Sequence, residues 1–193
     1  PLSVSNSLTN NGPLTINPSG GSSSTFLQLL NSVALNGTGV LALNANPGNI
    51  ETAVITWSGG GEVLTQAATH TIRGSGRIYS HLINNGNVDA DISGRSLLLS
   101  NQAKTNNNLM TASGGAFLDI ACTVTQGPGA AIRAINGTAR HSSATINGGF
   151  LSTTGTGLHQ VTVGSRWNSV TLSGLGAVEN SVFLQLADAL TLN

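Results

Sequence analysis

What most constrains this chain is a recurrence. Short apolar, β-branched runs return along its whole length, each closed by a Gly or Asn turn. Val40-Leu41-Ala42-Leu43, Val54-Ile55-Thr56-Trp57, Asn87-Val88-Asp89-Ala90, Ser96-Leu97-Leu98-Leu99 and Val182-Phe183-Leu184-Gln185-Leu186 are typical. Many alternate apolar with small polar residues, which is the period of a half-buried strand. Asn36-Gly37, Asn85-Gly86, Asn136-Gly137, Asn147-Gly148, Gly59-Gly60-Gly61 and Gly114-Gly115 punctuate them as turns. A loose phrase repeats: a small residue or Asn, then Gly, one more residue, and a strand. It stands at Gly37-Thr38-Gly39-Val40, Gly74-Ser75-Gly76-Arg77-Ile78, Asn85-Gly86-Asn87-Val88 and Asn147-Gly148-Gly149-Phe150-Leu151. Its intervals are about ten or twenty residues or their multiples, the spacing that solenoid rungs produce.

Two all-β architectures fit short strands at this spacing. An antiparallel sandwich normally shows charged outward faces and a core rich in aromatics. Here charged residues are 7% and aromatics 4%. A single parallel β-helix domain over 1–193 fits better. Its outward positions, stacked on the rungs above and below, tolerate Ser, Thr and Asn. Its corners demand Gly and Asn in left-handed conformations, and stacked Asn side chains can form amide ladders. At about 20 to 25 residues per rung the chain gives about eight or nine rungs, a rod on the order of 40 Å long. Thr25–Val33 also carries helical spacing after a Thr25-x-x-Gln28 capping pattern, but Thr25-Phe26-Leu27-Gln28-Leu29 alternates as a strand if Phe26 faces outward. Val182–Leu190 reads as a terminal helix or as rung strands.

The composition excludes several functions. Seven bases and seven acids, net charge zero, leave no basic stripe for nucleic acid. No run approaches the ~18 apolar residues of a membrane-spanning helix. A single Cys, Cys122, precludes an internal disulfide, and its apolar surroundings make it a small buried hydrophobe. The chain opens at Pro1 without a leader pattern, which reads as a fragment of a larger repeat protein. Low charge with abundant Asn, Ser, Thr and Gly suits a secreted or cell-surface protein.

The segment Thr65–Ser100 carries a recognisable pattern: Thr71-Ile72-Arg73-Gly74-Ser75-Gly76-Arg77-Ile78, Leu82-Ile83-Asn84-Asn85-Gly86-Asn87-Val88-Asp89-Ala90, then Ser93-Gly94-Arg95-Ser96-Leu97-Leu98-Leu99. It resembles the repeats of bacterial right-handed β-helix surface proteins, such as autotransporter passengers and filamentous-haemagglutinin-like adhesins. The resemblance implies a right-handed single-stranded parallel β-helix in a secreted or surface-borne bacterial protein. It specifies a scaffold rather than an activity.

Chemistry-bearing residues concentrate in one zone. Asp89 and Asp91, at i and i+2, project from the same face of a strand. Paired carboxylates can serve glycoside hydrolysis as acid and base, or hold Ca²⁺. Arg73, Arg77, His81 and Arg95 flank them, as in polysaccharide-acting β-helix enzymes. The competing reading is a solvated acid pair with Arg95 as salt-bridge partner. His70, His81, His141 and His159 lack zinc-ligand spacing, and no phosphate loop or nucleophile elbow is present. The expectation is a non-catalytic structural or adhesion module presenting a polar face to glycans or surface proteins. It has no cofactor, no metal and no nucleic-acid partner. The alternatives are a lyase or hydrolase using Asp89 and Asp91 with nearby Arg, and end-to-end self-association through open solenoid ends.

Overall fold

The computed structural model describes residues 1–174, 177–180 and 182–193. Over these residues the chain is a β-solenoid of 22 strands and about nine turns, and every strand pairing is parallel. No α-helix occurs among the described residues, and the one helical element is the 3-10 turn Ile50–Thr52. Parallel pairing needs each strand to return to the same side, which a meander of hairpins cannot supply. The sandwich is thereby excluded. Both ambiguous stretches are strands, Thr25–Asn36 and Leu184–Leu192. Phe26 is indeed turned away from the core, between Thr25 and the buried Leu27.

Three faces wind around one core. In-register stacking places like upon like, so each face sends an apolar column inward. On the first face Leu27, Ile55, Ile78, Leu99, Ile120 and His141 lie one above another. On the second the column is Leu64, Leu82, Lys104, Val124, Ile146 and Trp167. On the third it is Leu41, Ile72, Val88, Met110, Ile132 and Leu151. All these side chains are buried. Each large aliphatic one contributes about 1.5–3 kcal/mol by leaving water. Two members do not belong by type: Lys104 and His141.

A second inward column on the second face is polar. Gln66, Asn84, Asn106 and Gln126 stack in register, each buried. Asn84 Nδ2 donates to Asn106 Oδ1 at 2.8 Å, and Asn106 Nδ2 to Gln126 Oε1 at 3.3 Å. The same amides donate to backbone carbonyls where the chain turns towards the third face: Asn84 to Leu109 O and Asn106 to Ala131 O. The ladder thus gives these corner carbonyls a side-chain donor. Asn106→Leu strips a donor from Ala131 O and an acceptor from Asn84. It is expected to cost about 2–4 kcal/mol. Equilibrium unfolding in urea measures this, and a loss below about 1 kcal/mol would show the ladder to be ornamental.

The corner between the third and first faces needs Gly74. At φ +108° it occupies backbone space that a side chain resists, and a Cβ there would stand 2.1 Å from Leu43 O. The strand Thr71–Ile78 thus bends through Gly74-Ser75-Gly76 and serves two faces, pairing with Val40–Asn44 before the bend and Ala53–Trp57 after it. The Gly59-Gly60-Gly61 turn is ordered by Glu62. The carboxylate of Glu62 accepts from Ser58 Oγ and from all three glycine N–H groups, which hold it well below the usual carboxylate range.

Candidate functional site

The third face brings Arg73, Asp89 and Asp91 together. Arg73 and Asp89 are register partners on adjacent strands. The strand Asn87–Ala90 ends before Asp91, so the two acids do not share a strand face as their spacing implies. Asp91 forms an ion pair with Arg73, and the partner expected from the sequence, Arg95, is not used. Asp89 accepts a hydrogen bond from Ser113 Oγ at 3.0 Å. Burial pushes the Asp89 carboxyl up, and the Asp91 charge adds to the rise. Among the described residues, clefts of about 230–410 Å³ lie elsewhere on the solenoid, and neither Asp89 nor Asp91 lines these four. The acids meet outside these clefts.

Arg77 lies apart, on the outside of the first face. It pairs with Glu51, donates from Nε to Ser100 Oγ at 2.8 Å, and stacks 4.0 Å above the Tyr79 ring. His81 begins the strand His81–Asn84, half-buried. Arg95 stands at the corner between third and first faces, in a cleft of about 340 Å³. The far wall of that cleft is the loop Ala45–Ile50. This loop belongs to the rung between Leu41 and Ile72, the longest in the third-face column. Further along the first face, Asp119 and Arg140 form a two-pronged pair, with Arg140 Nη2 donating to Asp119 Oδ2 at 2.7 Å and the guanidinium 4.0 Å above Phe117.

Inside the solenoid, Lys104 Nζ donates to Gln102 O at 2.6 Å, Ser80 O at 2.8 Å and Ser100 O at 3.0 Å, with Tyr79 O at 3.5 Å. Burial lowers its pKa to about 8. At neutral pH the group is therefore still largely an ammonium ion, held in a carbonyl cage. Cys122 is free and buried beside it, its thiol pushed up by burial, as its apolar surroundings imply.

His141 lies between His159 and Trp167, tilted against the first ring and edge-on to the second. His141 Nε2 and His159 Nδ1 are 3.1 Å apart, and His159 Nε2 is 3.2 Å from Ser152 O. A carbonyl only accepts, so His159 carries its proton on Nε2. Its Nδ1 then accepts from His141 Nε2–H, leaving His141 Nδ1 bare, and that atom is buried without a partner. The chain of bonds is thus fixed for two neutral rings. Trp167, 2% exposed, packs its indole against His141 and offers no sugar platform.

Family models, curated proteins and solved structures give no match. The site is therefore read from its own geometry. Among the described residues no group of three or more His, Cys, Asp or Glu side chains is placed to hold a metal ion. No helix among the described residues is long and apolar enough to cross a membrane. Sequence reasoning missed the cleft under the Ala45–Ile50 loop, the Lys104 cage and the Asp119–Arg140 pair. The long rung was a usable signal for the first, since insertions in repeats map to loops on one face. Nothing local marks Lys104, whose neighbours Ala103 and Thr105 are ordinary for a strand.

Proposed function

We propose that this protein is a non-catalytic structural or adhesion module of a bacterial secreted or cell-surface protein, built like a right-handed β-helix passenger. Its long polar walls meet glycans or other surface proteins. The observation that carries this reading is the state of the acid pair. Asp91 is tied to Arg73, Asp89 is tied to Ser113, and both lie outside the four clefts. Glycoside hydrolysis needs two carboxylates facing each other across a bond that a pocket holds. A flat wall of hydrogen-bonding groups on a rigid rod suits multivalent attachment instead.

The test is incubation with neutral and acidic polysaccharides, read for retention on immobilised glycan and for new reducing or unsaturated ends. The expected result is retention without cleavage, unchanged in Asp89→Ala/Asp91→Ala. Cleavage that the double variant loses would make the Asp89 zone an active site and overturn the proposal.

A further inference from the structure

We infer that the cleft under the Ala45–Ile50 loop binds the carboxylate of a uronic-acid unit in an extended acidic glycan. The inference deepens the adhesion reading and rests on it.

The cleft is a built feature. Its loop is fixed by Asn46 N donating to Thr52 Oγ1 at 2.6 Å and Gly48 N to Asn46 Oδ1 at 3.0 Å. Glu51, at the end of the loop, is anchored by Arg77 and by the Tyr79 hydroxyl at 3.1 Å. Two donors in the cleft lack acceptors. Arg73, Arg77 and Arg140 each hold a carboxylate, whereas Arg95 has none among the described residues. Its Nη2 is shut off from solvent without a hydrogen-bond partner. Ser75 lines the same cleft, is 2% exposed, and its hydroxyl is likewise unpartnered. Such donors are left without the hydrogen bonds that a bound oxyanion supplies. Asp119 also borders the cleft, but Arg140 neutralises it.

The surroundings choose a sugar acid over a bare anion. Pro47, Ile50 and Leu98 give the cleft apolar walls beside the two donors, a match for the C–H face and the carboxylate of one pyranose ring. A second cleft of about 410 Å³ shares Leu98 and Asp119 with the first and continues past Ala121 and Ser142. The two together follow the solenoid axis across successive rungs about 4.8 Å apart, a track for several sugar units.

The experiment is titration calorimetry of the whole chain with trigalacturonate and trimannuronate, and with the methyl ester of each. At least one acid should bind, with its ester about tenfold weaker or worse. Arg95→Gln should weaken the acid about tenfold, and Ser75→Ala about threefold. Binding by neither acid, equal binding of acid and ester, or an Arg95→Gln variant as tight as the native chain would each overturn the inference. The ester comparison uses the native protein, and Ser75→Ala removes an unpaired hydroxyl, so neither depends on Arg95→Gln folding. Tight binding of neutral glycans with no role for Arg95 would sink this inference and leave the adhesion reading standing. Cleavage of either trisaccharide would sink the adhesion reading itself.

Discussion

Lys104→Met is expected to lower the stability of the solenoid by about 3–5 kcal/mol. The methionine matches the length of the side chain and suits a column that otherwise holds Leu82 and Val124. Among the described residues it removes the only side-chain donor that reaches the carbonyls of Ser80, Ser100 and Gln102. The Ser80 and Ser100 oxygens are buried and then lose this hydrogen bond. An opposing effect exists, because the ammonium ion is itself costly to bury, which is why its pKa falls to about 8. Three short carbonyl contacts outweigh that cost as long as only one side of the interaction is deleted. Guanidinium unfolding of Lys104→Met decides between the two. A variant more stable than the native chain would mean that desolvation of the amine is the larger effect. Lys104→Ala adds a second readout. A carbonyl cage lined for a cation should be partly restored by added ammonium or potassium, and not by tetramethylammonium.

Acid is expected to open the solenoid from its His141–His159 region. A free imidazole takes up a proton near pH 6.5. Burial lowers the His159 pKa to about 4 and, with the neighbouring His159, holds His141 well below its ordinary value. Between those values the unfolded chain binds protons that the native chain refuses. The stabilisation is therefore complete above about pH 6.5 and is lost as the pH falls towards 4. His159 alone accounts for about 3 kcal/mol of that loss. The bond chain explains why the native state refuses the proton: the remaining basic atom, His141 Nδ1, is buried with no hydrogen-bond partner to share a charge. His70 adds to the same trend, since burial lowers it too. The two tryptophans separate the regions. Trp167 touches His141, while Trp57 packs edge-on against Tyr79. Trp57→Phe leaves Trp167 as the reporter, and its emission should change between pH 6.5 and 4 before the far-ultraviolet strand signal collapses. His141→Leu/His159→Leu should flatten the stability profile over that window. An equally steep profile in the double variant would place the acid sensitivity elsewhere.

The sequence and the structure agree where the determinant is a repeat. Alternation in Ser96-Leu97-Leu98-Leu99 and Phe117-Leu118-Asp119-Ile120 names the inward residues, and the register Leu97↔Leu118, Leu99↔Ile120 honours it. The amide ladder was foreseeable as a type, since Asn is abundant, but not its members. Gln66 and Gln126 join Asn84 and Asn106 because register, not residue name, puts them in one column. For the acids, spacing placed Asp89 and Asp91 on one strand face, and the chain turned its corner one residue too early.

By itself the sequence determined the class of fold: a parallel solenoid of about eight or nine turns, with strands at its apolar runs and corners at its Gly and Asn residues, where the structure has about nine. These are local preferences repeated many times, and repetition averages out single errors. Only the tertiary structure decided which residues touch across rungs. Arg95 and Ser75 share a cleft, Lys104 meets the carbonyl of Ser80, and His141 meets His159 and Trp167, in each case across about 18 to 26 residues of chain. The physical reason is that rung length varies. The column steps from Leu41 to Ile72 in one turn and from Ile72 to Val88 in the next. A shift of one residue in any turn would bring different side chains together, so contacts between rungs follow from the summed lengths of the corners and not from any local pattern.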